Sequence, residues 1–314
     1  MCPLCFRRIP ILASAVAVAA ALGGCPGEVL EGEAESSSPV VSRGIVWAAS
    51  SRYIDGRGNA PFDRFLATAM FARYDQEQQD LFEELLVWRV DEPDLGLDTC
   101  GPAAPVLAFK QQPVVPGQTA ISLLDAGTLT LSIDDRPIAV PTRTFPDLLK
   151  VVDGVMYSAD ESRGARFVPG ATYSIRSAGT DLVGPFEVVL EAPDDLGDIK
   201  LDGLSPLEQI PVVRRGEDLE IAWEGSGWGD EVIAEFTWTS LGLPWSMVCR
   251  MRDNGLFIVP GERTRSLQDP LRGGDEELTI SRIRQVAFRG AGLSGGTFAF
   301  VVAAHFPVRF EGPG

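Results

Sequence analysis

Apolar and polar residues alternate along short segments of this chain, and this alternation constrains the fold more than any other feature. Between residues 128 and 133, Leu and Ile occupy the odd positions while Thr and Ser occupy the even ones. The same period recurs in residues 172–176, 186–190, 219–223 and 232–238. A period of two is typical of strands with one buried side, and short strands separated by Gly, Pro and Asp turns are typical of sandwiches. The sequence therefore predicts an all-β fold.

The segment from Ala192 to Pro206 is rich in turn-forming and acidic residues, and it separates two strand-rich halves. Domain boundaries fall in segments of this composition. We therefore predict two antiparallel, immunoglobulin-like β-sandwich domains. The first spans residues 44–193 and the second spans residues 204–310.

Two local patterns add detail to the all-β prediction. Residues 75–88 place apolar side chains at helical spacing, which favours one short helix with Asp75 at its start. The tripeptide Asp253-Asn254-Gly255 lies between two apolar runs. Asn-Gly in this position predicts a β-hairpin, because both residues tolerate positive φ.

The N-terminus has the layout of a secretory signal, with Arg7 and Arg8 before an apolar run over residues 9–22. A membrane-spanning helix needs about 20 consecutive apolar residues, and this run is shorter and contains Pro10. The run ends in Leu22-Gly23-Gly24-Cys25, which resembles the lipobox of bacterial lipoproteins at every position. The resemblance implies that signal peptidase II removes residues 1–24 and that the Cys25 sulfur carries a diacylglyceryl group. A secreted protein without lipid is the alternative.

Residues 25–43 are acidic, contain Ser and Pro, and show no period, so we predict a lipidated flexible tether. Stable anchoring takes more than one acyl chain, which a diacylglyceryl group provides. Pro26 follows the cysteine where inner-membrane lipoproteins of Gram-negative bacteria commonly have Asp. The resemblance therefore implies a cell-envelope protein at the outer membrane, facing either the periplasm or the outside.

The charge of the chain disfavours two classes of partner. The net charge is −17, and loss of residues 1–24 removes two arginines and no acid. Nucleic acids need a basic face to neutralise phosphates, so no nucleic-acid partner is expected. Anionic headgroups also repel an acidic protein, so the lipid on Cys25 must hold it at the membrane.

Two cysteines, Cys100 and Cys249, remain outside the signal and the lipidation site. Disulfides persist in the oxidising envelope, so these two residues are a possible pair. Cys249 also alternates with Trp245, Met247 and Met251, which favours a buried position where a lone thiol behaves as a small hydrophobe. Both interpretations stay open.

The order of features along the chain is similar to that of paired β-modules in lipoproteins of large-genome Gram-negative bacteria. These features are Leu124-Asp125-Ala126-Gly127, Phe167-Val168-Pro169-Gly170, residues 219–223, and Cys249 followed by the Asp253–Gly255 turn and Val259-Pro260. The resemblance implies tandem β-sandwiches, and no activity follows from it.

Gly292-Leu293-Ser294-Gly295-Gly296 fits the G-x-S-x-G pattern of serine hydrolases. That mechanism needs a helix after the serine, and then an acid and a histidine. Here a strand-like run follows Ser294 instead of a helix. No acid lies between Ser294 and His305, the only histidine of the chain. We therefore predict a Gly-rich hairpin loop at this motif and an ordinary strand-end role for His305. Structural zinc needs four N or S ligands, so no transition-metal site is expected.

Two loops contain residue types that are typical of binding sites. Asp194, Asp195, Asp198 and Asp202 have oxygen ligands suited to Ca²⁺, but their spacing does not match an EF-hand, and a solvated acidic linker is preferred. Trp228 lies among glycines in the loop at residues 225–229. An aromatic in such a loop is a possible ligand contact, and packing over the sandwich edge is the alternative. By contrast, Trp223, Trp238 and Trp245 fall on apolar strand faces and are predicted core residues.

Together these patterns predict a lipid-anchored envelope protein with a non-catalytic binding or structural role. Its partner would be an envelope protein or a polysaccharide, with no cofactor and no metal. The alternative is an envelope hydrolase or carbohydrate-active enzyme. A glycosidase needs two carboxylates that face each other across a cleft, and nothing in the sequence pairs two of its acids.

Overall fold

Strands form where apolar and polar residues alternate, and they make up most of the described chain. The computed structural model describes residues 39–86, 95–102, 120–144, 151–227, 229–240, 243–267 and 276–312. The predicted all-β class is confirmed. None of the helices in these ranges has the length and apolar character required to span a membrane.

The elements of the described ranges follow in chain order. The strands are β1 Val40–Tyr53, β2 Phe62–Asp75, β3 Thr99–Pro102, β4 Ile121–Leu123, β5 Leu129–Ile133, β6 Arg136–Val140, β7 Thr142–Thr144, β8 Val152–Asp160, β9 Thr172–Ser177, β10 Phe186–Glu191, β11 Lys200–Leu201, β12 Val212–Arg214, β13 Leu219–Ala222, β14 Glu231–Ser240, β15 Leu243–Arg252, β16 Leu256–Val259, β17 Glu277–Phe288, β18 Gly295–Pro307 and β19 Arg309–Glu311. The helices are α1 Gln79–Leu86 and α2 Gly261–Thr264, with 3-10 turns at Gln76–Gln78 and Glu161–Arg163.

Ten of the described strands form one sheet, which we call the large sheet. Its order is β3-β15-β14-β17-β18-β1-β2-β4-β8-β7. Most neighbours are antiparallel, as predicted, but β1 pairs with β18 and β4 pairs with β8 in parallel. The sheet is therefore mostly antiparallel, with two parallel pairs that the alternation pattern does not predict. Parallel neighbours need a long crossover, and β1 and β18 lie near opposite ends of the described chain.

Two smaller sheets contribute to two hydrophobic cores beside the large sheet. The first cover sheet has the order β10-β9-β5-β6, and the second has the order β11-β13-β16, with the separate pair β12-β19 nearby. β18 contributes to both cores, since Phe300 and Val302 belong to the first and Ala304 and Phe306 to the second.

The predicted boundary between residues 193 and 204 coincides with the change from the first cover sheet to the second. The large sheet takes strands from both predicted domains, because β1 from the first pairs along its length with β18 from the second. The division into two domains and their immunoglobulin-like character stay predictions.

The predicted short helix is confirmed as α1. Asp75, however, ends β2 and makes no side-chain capping bond, and a 3-10 turn separates it from the helix. The extended backbone of Asp75 continues the strand up to the turn, which is why the helix begins at Gln79.

The predicted hairpin at Asp253–Gly255 is wrong. β15 pairs with β14 and β3 in the large sheet, whereas β16 pairs with β13 in the second cover sheet. Gly255 does have positive φ, at 88°. The turn is therefore a corner between two sheets, and the buried Asp253 side chain provides the reason, since it bonds to residues on both sides of that corner.

Two of the three tryptophans predicted as core are buried, and one is not. Trp223 and Trp238 are 6% and 5% exposed, but Trp245 is 42% exposed, although it is the register partner of Trp238. The ring of Phe310 packs edge-on against Trp238. Among the described residues no ring packs on Trp245, so its predicted core position is wrong.

Candidate binding cavity

A cavity of about 380 Å³ lies where the two cores meet. Its floor comes from the centre of the large sheet, where Phe65, Val302 and Ala304 are among the lining residues. One side is formed by the loop before β9, including Phe167, and the other by the Asp195–Ile199 segment. Cavities of this size at the junction of two packed units are typical sites for small molecules.

Arg52 lies at the centre of the charged groups in this cavity. Its Nε donates to Oδ1 of Asp63 at 3.0 Å, and Nη2 lies 2.9 Å from Oδ2 of Asp195. Burial alone would lower the pKa of Arg52, but the hydrogen bonds and charges of the two carboxylates raise it overall. The guanidinium group therefore stays charged and holds two carboxylates at one site.

Asp63 and Asp195 reach Arg52 from different parts of the fold. Arg52 and Asp63 are register partners on β1 and β2, and they share the side of the sheet that faces the cavity. Asp195 comes from the segment between the first and second cover sheets, and its side chain is 34% exposed. Of the four acids in the predicted solvated linker, Asp194, Asp198 and Asp202 are exposed, whereas Asp195 is half-buried in this ion pair.

Arg282 on β17 fixes the backbone of that segment. Its Nη1 donates to the carbonyl oxygens of Asp194 and Asp195 at 2.8 and 2.7 Å. A second amino group, Nη2, donates to the carbonyl of Glu224 and to Oδ1 of Asp253, the latter at 2.9 Å. The segment bearing Asp195 is thus attached to the large sheet through one side chain.

Arg282 and Asp253 form an ion pair whose two side chains are both fully buried. Trp223 donates to Oδ1 of Asp253 through Nε1 at 2.7 Å, and the Ser226 hydroxyl lies 2.6 Å from Oδ2. Burial raises the pKa of Asp253, but the hydrogen bonds from Arg282, Ser226 and Trp223 outweigh it and lower the pKa below 3.8. A buried pair is tolerated only when its remaining polar atoms are also bonded, and here several of them are.

A second ion pair lies two residues further along β17. Nε and Nη2 of Arg284 donate to Oδ1 and Oδ2 of Asp230, at 2.8 and 2.7 Å. The hydrogen bonds that Arg284 donates to Asp230 raise the pKa of Arg284 despite its partial burial. Arg284 also donates to the carbonyls of Glu191 and Ala192. Two neighbouring arginines therefore hold the chain at residues 191–195 against the large sheet.

Tyr173 on β9 orders the opposite wall of the cavity. Its hydroxyl donates to the Arg166 carbonyl at 2.6 Å and accepts from the Val168 amide at 2.9 Å. Burial raises the pKa of Tyr173 to about 12. The hydroxyl thus stays protonated and fixes the loop that carries Phe167.

The lipidation residue Cys25, the lipobox residues Leu22, Gly23 and Gly24, and the loop residue Trp228 lie outside the described residues. Cys100 and Cys249 are joined by a disulfide, and they are register partners on β3 and β15. Neither cysteine lines the cavity. Within the described ranges, no group of three His, Cys, Asp or Glu side chains is arranged to hold a metal ion.

Ser294 lies in the connection between β17 and β18, which form an antiparallel hairpin. The predicted Gly-rich hairpin loop is therefore confirmed. The Ser294 amide donates to the Ser42 carbonyl at 2.7 Å. Ser294 precedes a strand, whereas a serine nucleophile needs a helix at that place.

His305 stands near the far end of β18. Its ring stacks on Tyr53 at 4.7 Å, and Nδ1 lies 3.0 Å from the Thr279 hydroxyl and 3.3 Å from Oε1 of Glu277. The hydrogen bond with His305 lowers the pKa of Glu277. These contacts confirm the ordinary strand-end role predicted for the histidine.

The sequence patterns above do not predict Arg52, Arg282 and Arg284 as site residues, although the sequence contains a signal for the last two. Both have the same parity on β17 as the buried Leu278 and Ile280. An arginine on the buried face of a strand requires a buried acceptor. Arg52 has no such signal, because the polar residues around it in β1 conceal which face it occupies.

The comparisons with known proteins establish no family. No protein-family model matches the chain, and no curated protein is similar to it. Among solved structures, the yeast delta-COP-I mu-homology domain is similar, with 10% sequence identity over 86% of this chain and 97% of that chain. Its TM-score is 0.24, which is too low to establish a shared fold.

Proposed function

We propose that this protein is a lipid-anchored component of the bacterial cell envelope that binds a ligand without catalysis. The observation that carries the binding role is the cavity between the two cores, with Arg52, Asp63 and Asp195 at its centre. The lipobox at Leu22–Cys25 is the basis for the anchor. The Cys100–Cys249 disulfide supports an oxidising compartment, where such bonds persist.

The pairing of the two carboxylates favours binding over hydrolysis. A glycosidase needs two carboxyl groups that face each other across the bond to be cleaved. Asp63 and Asp195 instead both lie within 3.0 Å of the charged Arg52. One guanidinium therefore engages both groups, and their remaining oxygens suit acceptance of hydrogen bonds from a ligand.

We further propose that each half of the fold is an immunoglobulin-like sandwich and that the two halves share the large sheet. The Tyr173 hydroxyl bonds to backbone atoms five and seven residues upstream, as in the tyrosine corner of such sandwiches. Two cover sheets and two cores also support this arrangement.

The anchor is tested by replacing Cys25 with Ser in the native host. We expect the wild-type protein to fractionate with membranes and Cys25→Ser to become soluble or to remain unprocessed. Ser37→Ala, a change within the tether, is the matched control and should leave fractionation unchanged. An intact wild-type leader or an unmodified Cys25 sulfur, detected by mass spectrometry of the N-terminal peptide, would overturn the proposed anchor.

The non-catalytic role is tested by incubating the purified mature protein with envelope polysaccharides and measuring their chain length by mass spectrometry. We expect no shortening. Shortening that disappears in both Asp63→Asn and Asp195→Asn would overturn this part of the proposal and establish the hydrolase alternative.

A further inference from the structure

We propose that the ligand of this cavity is a neutral glycan unit whose hydroxyl groups donate hydrogen bonds to Asp63 and Asp195. This inference rests on the proposed binding function and adds the chemical class of the ligand. It also assigns separate roles to the residues that contact the ligand and to Arg282, which positions one of them.

The charges of the described lining residues disfavour an ionic ligand. Four carboxylates line the cavity, from Asp63, Glu161, Asp195 and Asp198, together with three guanidinium groups from Arg52, Arg64 and Arg166. The two signs nearly balance, so the site carries little net charge for a charged ligand to neutralise. An anion would also approach Asp63 and Asp195, and like charges in proximity repel.

The carboxylates at the centre of the cavity keep hydrogen-bond acceptors, and the guanidinium groups of Arg64 and Arg166 in the lining supply donors. The contacts with Arg52 use Oδ1 of Asp63 and Oδ2 of Asp195. A carboxylate has two oxygens and about four lone-pair sites, so each group keeps acceptor capacity toward the cavity. Charge-assisted bonds from hydroxyl groups to such oxygens are stronger than neutral ones. The ligand that complements this site is therefore rich in hydroxyl groups, which both donate to carboxylates and accept from guanidinium groups.

The apolar part of the lining suits the C–H faces of a sugar ring. Phe167, Pro169, Pro206 and the 40% exposed Leu207 are among the lining residues. The Phe167 ring packs against Phe300 at 5.6 Å, which fixes it in place. Binding sites combine apolar walls with a few placed polar groups in this way. The cavity of about 380 Å³ is near the small end of the usual range, which fits one or two sugar rings.

Arg282 acts as a positioning residue for this site. It bonds the Asp195 carbonyl at 2.7 Å from within the second core, while the Asp195 side chain extends to Arg52. The carboxylate is therefore held from both sides before a ligand arrives, which lowers the entropic cost of binding.

The test measures binding of defined sugars to the full mature lipoprotein in nanodiscs by isothermal titration calorimetry. The neutral probes are maltotriose, mannobiose and N,N'-diacetylchitobiose; the charged probes are digalacturonic acid and chitosan disaccharide. We expect at least one neutral probe to bind more tightly than either charged probe. Asp63→Asn and Asp195→Asn should each weaken it about ten- to a hundred-fold, whereas Asp135→Asn, in the exposed β5–β6 turn, should not.

Leu207→Trp distinguishes the ligand class from the site, because it fills the cavity rim without changing charge. Loss of neutral-sugar binding in this variant supports the inference. If a charged probe binds more tightly and Leu207→Trp abolishes its binding, the cavity remains the binding site and the neutral-glycan inference fails. Sugar binding that survives both Leu207→Trp and Asp195→Asn overturns the cavity itself as the site. Absence of binding by every neutral probe overturns the inference.

Discussion

At the scale of single residues, the buried pair of Arg282 and Asp253 is the contact on which the site geometry depends most. Two charges without solvent are costly unless their polar atoms are bonded. Here the arginine also bonds to three backbone carbonyls, from Asp194, Asp195 and Glu224. One side chain therefore couples the stability of the second core to the position of Asp195.

We expect Arg282→Met to destabilise the protein by about 3–5 kcal/mol, because it leaves Asp253 buried without its charge partner. Urea denaturation of the wild type and the variant measures this difference. The matched control is Arg176→Met, which breaks an exposed cross-strand pair with Glu187 and should destabilise the protein far less, because solvent screens an exposed pair. Equal losses in the two variants would contradict the role given to the buried pair.

Asp253 also makes stability depend on pH in a defined direction. Its pKa in the folded protein is lower than the ordinary value of an aspartate, about 3.9. The folded state then binds the proton less readily than the unfolded state, so the stabilisation is present above that value and is lost as the pH falls below it. We expect Asp253→Asn to be less stable than the wild type near neutral pH and this gap to narrow below about pH 4.

Unfolding free energies of the two proteins, measured from about pH 6 to pH 2, check this expectation. The comparison between variants is needed because other carboxyl groups titrate in the same window, among them Glu277, whose pKa is lowered by its bond to His305. A gap that stays constant or widens toward acid would show that Asp253 is not held ionised.

At the scale of elements, β3 is the short edge strand that closes one end of the large sheet. Three contacts attach it and its flank to β15: the Cys100–Cys249 disulfide, an ion pair of 2.6 Å between Asp98 and Arg252, and a bond from Arg250 to the Leu95 carbonyl. An uncovered edge strand presents unpaired backbone groups to other chains. We infer that the disulfide holds β3 on β15 and so keeps the edge of β15 covered.

We expect the double variant Cys100→Ala, Cys249→Ala to lose about 2–5 kcal/mol, the usual cost of removing a native disulfide. Amide hydrogen exchange should rise most in the residues of β15 that pair with β3, Met247–Arg250. The hairpin of β17 and β18 is the internal reference and should change less. An equal rise throughout the large sheet would contradict the proposed role in covering this edge.

The sequence predicts individual strands better than it predicts their partners. Local alternation is enough to identify β5, β9 and β14, because each strand has one buried face. Pairing depends on distant residues, so the Asn254-Gly255 turn joins two sheets although its sequence is typical of a hairpin. The cavity is harder to predict from sequence than the strand pairing. Arg52 and Asp63 lie on adjacent strands and Asp195 is distant in sequence, so only the assembled sheet brings the three together.

At the scale of the whole molecule, two cores share one sheet, and β18 crosses from one to the other. Phe300 is fully buried in the first core, where its ring contacts Tyr173 at 4.8 Å. Six residues later, Phe306 is buried in the second core. The cavity lies between them, beside Val302 and Ala304. The cavity proposed as the ligand site therefore forms only when both halves are folded on the same strand.

This arrangement predicts how fragments of the chain behave. Residues 44–193 and 204–310 are the two domains predicted from sequence, but the first fragment lacks β18, the parallel partner of β1, and loses Phe300 from its core. The second fragment leaves one edge of β18 without a partner. We expect neither fragment alone to give a cooperative urea transition or a dispersed amide spectrum, whereas an equimolar mixture recovers both. Residues 44–310 as one chain are the control. A cooperative transition in either isolated fragment would establish that this half is an independent domain. The pairing of β1 with β18 would then be a contact between domains, because that half folds without it.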